Sequence, residues 1–194
     1  LNSLPYVVVS RRSDELVERL LEDDHPILFE GLHSCYHLGD PRLARRRRLV
    51  RTHNVEHDYY EGLANAERGA FKRTYFVNEA RKLKKFEPVL SEADGILAIS
   101  PSDQAYFSQH FRKVKHVPAF HSNDRVSVPE GLGDFCFYHG ALGVPENDQA
   151  ALYLVKEVFA GLPIPLVIAG SGASKELRSA VAKSNTAKLR ENIP

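Results

Sequence analysis

The 194-residue sequence contains no methionine and no tryptophan, and only two cysteines. Translation starts on methionine, so Leu1 is not expected to be a native first residue. Two readings stay open: an internal fragment of a longer chain, or a transcription from which modified methionines have dropped out. Cys35 and Cys136 lie far apart, without metal-ligand spacing. They are expected to be two buried free thiols in a reducing compartment rather than a disulfide or a zinc site. No apolar run approaches the length of a membrane span. Residues 1–10 lack the basic start and the small-residue cleavage site of a secretory signal, so a cytoplasmic location is expected. Charge is nearly balanced, at +1. The whole-molecule field therefore favours neither nucleic acid nor an acidic partner. Ser10, Ser34 and Ser100 lack a Gly-x-Ser-x-Gly frame, so nucleophilic hydrolysis has no support. Neither GxGxxG nor GxxxxGK[ST] occurs.

What is present is an alternation of short β-branched runs with amphipathic stretches. Strands are expected over 6–10, 26–29, 49–52, 95–99, 114–117, 135–138 and 166–169. Ser13 is placed to cap one helix, Asp40-Pro41 another and Ser100-Pro101 a third. The helix opened by Pro41 is expected to carry Arg42 and Arg45 to Arg48. A long helix is expected from about 65 to 90, with Phe71, Tyr75, Leu83, Phe86 and Leu90 as its apolar stripe and Pro88 disturbing its end. Pro145 opens a helix striped with Ala151, Leu154, Val155, Val158 and Phe159. Gly161 suits the position just past its end. A last helix is expected around 174–182. Residues 121–133 are polar, contain glycine and proline, and read as a linker.

This alternation predicts an α/β protein with parallel sheets covered on both faces, one on either side of the linker. The expected bounds are 1–122, a linker at 123–133, and 134–194. Ligands of such folds gather outside the carboxyl ends of the strands. That rule sends Ser10 to Arg12, Glu30 to His33, His53 to His57 and Ser100 to one edge, and His139-Gly140 and Gly170-Ser171-Gly172 to another. The two edges are expected to line a cleft.

The densest stretch is Arg51-Thr52-His53-Asn54-Val55-Glu56-His57, which follows a strand directly. There side chains point into a crevice, so a functional role for His53 and Asn54 is expected more than for a histidine placed at random, the alternative being a histidine bonded to neighbouring backbone. His53 and His57 are four apart, but Glu56 is not in the His-Glu-x-x-His position, so a zinc site is rejected. Glu30-Gly31-Leu32-His33 would place a carboxylate and an imidazole beside His53. A glycine turn with solvated flanks is the even alternative. Glu30 and Glu56 would suit a glycosidase pair only at a defined separation. Gly170-Ser171-Gly172 ahead of a helix resembles a phosphate cradle, and equally a tight turn that needs glycine. Arg45 to Arg48 read as a solvated helix face, with contact to an anionic membrane as the lesser reading.

Taken together these stretches resemble a known family. Glu30-Gly31-Leu32-His33, the run from Arg51 through Tyr59-Tyr60-x-x-Leu63, and Glu92-Ala93-Asp94-Gly95-Ile96-Leu97-Ala98-Ile99-Ser100 look like the first domain of GT-B glycosyltransferases. The branch is the retaining, nucleotide-sugar-dependent one (group 1, family four type). Tyr138-His139-Gly140, Val144-Pro145-Glu146-Asn147 and Val167 to Gly172 look like the opening of its second domain. The resemblance implies two Rossmann-like domains with parallel sheets, both incomplete, and transfer of a sugar from a nucleotide-sugar to a glycan or lipid-linked acceptor, without metal or other cofactor, in polysaccharide or cell-envelope biosynthesis. It implies that His53 is catalytic and contacts the donor sugar. Glu30, His33, Arg51, Asn54, Glu56 and His57 would bind substrate, and His139, Gly140, Gly170, Ser171 and Gly172 the donor diphosphate and nucleotide. Three departures stand against it. The arginine and lysine usual after the Gly140 position are missing, because the chain reads Ala141-Leu142-Gly143-Val144-Pro145-Glu146-Asn147. Leaving-group stabilisation would then fall to backbone N–H groups, Arg12 or Arg51. The family's later glutamate pair would lie after Pro194, and its first glycine-rich loop before Leu1. These 194 residues are therefore expected to be inactive alone. The rivals are a GT-B sugar-nucleotide epimerase and a nucleotide-sugar-binding module without chemistry.

Overall fold

A computed structural model describes residues 3–120, 122, 124–127 and 130–191. The chain divides into two compact units, Leu1–Asn65 with Gly69–Ser122, and Ala66–Arg68 with Asn123–Pro194. Each is α/β around its own parallel sheet.

The first unit holds β1 (Ile27–Glu30), β2 (Arg48–Thr52), β3 (Gly95–Ala98) and β4 (Val114–His116) in that spatial order, all parallel. Ile27, Phe29, Val50, Ile96 and Ala98 point to the covered side, where Leu83, Leu90 and Phe107 pack on them. The helices are α1 (Tyr6–Val9), α2 (Asp14–Leu20), α3 (Glu56–Ala66), α4 (Ala70–Phe86) and α5 (Pro101–His110). Ser13 Oγ accepts from Leu16 N, Asp40 Oδ1 from Arg42 N and Ser100 Oγ from Asp103 N, so all three expected caps form.

The second unit holds β5 (Cys136–His139), β6 (Leu166–Ala169) and β7 (Ala187–Arg190), again parallel and in sequence order. Its helices are α6 (Pro145–Tyr153), which continues as one π turn over Leu154–Val158, and α7 (Lys175–Lys183). Leu142, Ala151, Leu166, Ile168 and Leu177 form its core.

Several sequence expectations are corrected. Tyr6 to Ser10 is a helical turn, not a strand. Tyr6 N donates to the buried Glu79 carboxylate at 2.6 Å, which satisfies a first-turn amide. Only Val8 is fully buried there, and β-branched preference yields to that anchor. The Pro41 helix is a single 3-10 turn over Pro41–Leu43, because β2 already begins at Arg48 in register with Ile27. The arginine run is therefore no helix face: Arg46 is buried and Arg48 lies in a strand, leaving Arg45 and Arg47 exposed. The long helix breaks at 67–69 into α3 and α4. Phe71 and Tyr75 lie on its solvent side, and the chain from Glu87 to Glu92 is 3-10 around Pro88. Cys35 is buried, but Cys136 is exposed on β5, a sheet edge. Strand β7 is absent from the expectation, although Ala187-Lys188-Leu189-Arg190 alternates apolar with polar. His121, Asn123, Val128 and Pro129 of the expected linker lie outside the described residues. Among the described residues no helix is long and apolar enough to cross a membrane.

Candidate functional site

Glu30 closes β1 and pairs in register with Arg51 on β2, so the two side chains share one face at the strand ends. The chain leaves β1 through Gly31, whose φ of 80° with ψ of 154° is open essentially to glycine alone. A Cβ there would lie 2.4 Å from the His33 ring, so the missing side chain also lets that ring fold back over the turn. His53 follows β2, and its Nε2 lies 2.8 Å from Glu30 Oε2. Arg51 Nη1 reaches Glu30 Oε1 at 3.5 Å, and its guanidinium lies over the Phe120 ring at 5.3 Å. The His33 and His53 rings meet edge-on with centroids 6.2 Å apart. His33 Nδ1 sits 3.8 Å from Glu56 Oε1 at the start of α3. Glu30, His33, Arg51, His53 and Glu56 are thus one cluster on a parallel-sheet edge.

Environment sorts these groups. The His53 hydrogen bond, helped by the charge of Arg51, holds the Glu30 carboxyl below its usual range. Burial pushes the His33 imidazole down, reinforced by the charges of Arg11 and His53. Burial raises Glu56 above its ordinary 4.5, and His53 and Arg11 pull it partly back. The cluster therefore offers an ionised carboxylate beside an imidazole at its open side, and a weakly acidic carboxyl beside a neutral-leaning imidazole within. Such a surface suits hydroxyl recognition, since it combines acceptors with donors. Arg11 acts on this cluster even though the strand expected to carry it there does not form. The sequence places Arg11 at this edge without giving it a role, and it does not single out Phe120, because the proximity of the 118–120 segment depends on long-range packing that no local pattern announces.

A pH test of the buried carboxyl follows. The folded chain binds the Glu56 proton more tightly than the unfolded chain does. Its stability contribution is full below its ordinary 4.5 and is lost as pH rises through the raised value. Glu56→Gln keeps the shape and removes the titration. The variant is expected to gain stability relative to the parent in urea denaturation as pH rises above 4.5. A stability difference that does not change with pH would contradict this burial argument.

The predicted residues do not all meet. His57 is one position beyond Glu56, and the ~100° turn per helical residue carries it to the other side of α3. There its buried ring lies between Asp58 Oδ1, 3.2 Å from Nε2, and Glu87 Oε2, 3.3 Å from Nδ1. Tyr106 Oη donates to Glu87 Oε1 at 2.7 Å. These residues line a separate groove of about 480 Å³ with Lys84, Pro88 and His110. Asn54 is exposed.

In the second unit His139 ends β5, exposed, and its ring stacks on Phe137 at 5.8 Å. Gly140, Gly170, Ser171 and Gly172 form two interlocked loops. Gly140 N donates to Ala169 O at 3.1 Å, Gly143 N to Ser171 O at 2.9 Å and Gly170 N to Arg190 O at 3.0 Å. Ser174 caps α7 through its hydroxyl, and its own N–H goes to Asp148 Oδ1 at 2.8 Å. The amides of Gly140, Gly143, Gly170 and Ser174 are thus engaged internally. A Cβ at Gly172 would meet the Gly143 backbone at 2.9 Å, so these glycines serve loop against loop packing. No group of three or more His, Cys, Asp or Glu side chains is arranged to hold a metal among the described residues.

No family model matches the chain. It is 27% identical over 195 residues to the "Uncharacterized 44.6 kDa protein in cps region" of Klebsiella pneumoniae, a match covering 94% of this chain and 49% of that protein. The chain thus spans about half the length of the curated relative it matches.

Proposed function

We propose that this protein works in the biosynthesis of a surface polysaccharide, as a glycosyltransferase that takes a sugar from a nucleotide-sugar and hands it to a glycan or lipid-linked acceptor. The polysaccharide context rests on the similarity to a protein of a capsule polysaccharide region. The observation that carries the site is the Glu30–His53–Arg51 cluster at the carboxyl ends of β1 and β2, with His33 and Glu56 beside it. Paired acceptors and donors at a parallel-sheet edge are what a polyhydroxylated ligand requires. His53 is the residue assigned to the donor sugar. Glu30, His33, Arg51 and Glu56 surround it, and Gly140 and the 170–172 loop are the assigned nucleotide side. One observation favours a second reading, a binding module without chemistry. Several amides of the 140–144 and 170–174 loops are already spent on internal acceptors, so fewer remain for a departing diphosphate.

The test is calorimetric titration of the intact protein with UDP-, GDP- and ADP-sugars, followed by a transfer assay. The expected result is saturable binding of one donor and transfer that His53→Ala reduces at least ~100-fold. Binding without transfer or epimerisation supports the module. Epimerisation of the donor without any acceptor supports the rival epimerase. No response to any nucleotide-sugar overturns the assignment.

A further inference from the structure

We infer that Glu30 is a positioning residue rather than a ligand contact: it holds His53 with the proton on Nε2, so that Nδ1 is left as an acceptor for a hydroxyl of the ligand. Three observations carry this. Both Glu30 oxygens are engaged, Oε2 with His53 at 2.8 Å and Oε1 with Arg51 at 3.5 Å. An ionised carboxylate only accepts, so the imidazole nitrogen facing it at hydrogen-bond distance must be the one bearing hydrogen. Among the described residues Nδ1 of His53 makes no hydrogen bond, while the side chain keeps 39% of its surface open. Its ring is therefore fixed at one nitrogen and free at the other.

The carboxylate is itself braced. Register pairing brings Arg51 alongside Glu30, and stacking on Phe120 limits where the guanidinium can go. The facing groups are consistent with this assignment. Arg51 favours an anionic Glu30, and His33 meets the His53 ring edge-on without a hydrogen bond to it. An imidazole whose free nitrogen carries a lone pair accepts from a hydroxyl and rejects a carbonyl or a phosphate oxygen placed at the same point. The ligand group expected at His53 is a sugar hydroxyl, not the diphosphate. This rests on the transferase reading for the identity of the ligand, but not for the state of the ring.

The experiment has two arms on the intact protein. In the first, long-range ¹H–¹⁵N spectra of the imidazoles are recorded at about pH 8, above the ordinary histidine range. His53 is expected to show an Nε2–H proton shifted downfield and slowed in exchange, and Glu30→Ala is expected to abolish that signal. Absence of the signal in the parent, or its persistence in Glu30→Ala, overturns the proposal. In the second, the transfer assay is run with Glu30→Ala and Glu30→Gln. A positioning role lowers kcat about tenfold or more with donor KM little changed, because an imidazole in the wrong tautomer still leaves the binding surface in place. Glu30→Gln should recover part of the loss, since its amide oxygen still accepts. A raised KM at unchanged kcat with the Nε2–H signal of His53 retained would make Glu30 a ligand contact and overturn the inference. If no nucleotide-sugar is turned over at all, the transferase reading fails while the first arm still decides the role of Glu30.

Discussion

Arg46→Ala is expected to destabilise the first unit by about 3–5 kcal/mol, the largest effect of any single substitution in the arginine run. Only 8% of Arg46 is exposed. Its Nε donates to His25 O at 2.9 Å, Nη2 to Asp23 Oδ1 at 2.7 Å, and Nη1 to Asp23 O at 2.5 Å. The Leu20 and His25 carbonyls also accept from Nη1 and Nη2. One guanidinium thereby closes the end of α2 and the whole turn into β1. Alanine would strand these carbonyls around a cavity that the loop must fill or flood. Arg46→Lys should recover little, because one ammonium cannot span acceptors arranged around a planar fork. The neighbouring exposed Arg45→Ala and Arg47→Ala should change stability by no more than about 0.5 kcal/mol. Urea denaturation of the four variants checks this, and equal losses across the run would refute the buried role.

Gly170→Ala is expected to cost about 3 kcal/mol or more in the second unit. Its φ of 156° already disfavours a side chain, and a Cβ would lie 2.0 Å from Gly140 O and 3.0 Å from Leu142 Cγ. The Gly140 carbonyl cannot retreat cheaply. Gly140 N is bonded to Ala169 O, and Gly170 N to Arg190 O, so both sides of the contact are pinned to the sheet. Gly161→Ala is the matched control. Its φ is 123°, and no atom lies within 4 Å of the added Cβ, so only the backbone strain of about 1–2 kcal/mol should register. Equal losses at Gly161 and Gly170 would show that strain rather than the interlock decides. The outcome also bears on function. If Gly170 is held by packing, its missing side chain serves the loop architecture whether or not an anion binds there.

Much of the architecture is legible in the chain because its signals are local. β6 and β3 read from short β-branched or apolar runs, and α2 and α5 from a serine whose hydroxyl reaches an amide three residues on. Asp40 followed by proline likewise marks a helical start, and its carboxylate accepts from Arg42 N at 2.9 Å. The length of the turn that follows is not legible, because β2 has to begin where Ile27 can pair with it. The polar cluster is half legible. A strand end announces Glu30, Arg51 and His53, since each leaves a parallel strand at its carboxyl end. Which of Glu56 and His57 joins them depends on the phase of α3, and a one-residue difference separates the two by ~100°.

By itself the sequence determined the α/β class, the parallel sheets implied by alternation, the caps, and the strand ends at which polar side chains gather. All of these depend on periodicity or on partners a few residues away. Only the tertiary structure decided that Tyr6 to Val9 coils onto Glu79, that Arg46 is a buried fork, and that His57 belongs to Glu87 and Tyr106. It also decided that Gly170 faces a carbonyl and that Glu30 grips His53. Each of these is settled by a partner at least 20 residues away along the chain. Such a contact forms only when the sheet has brought distant segments together, and its energy appears nowhere in the local pattern.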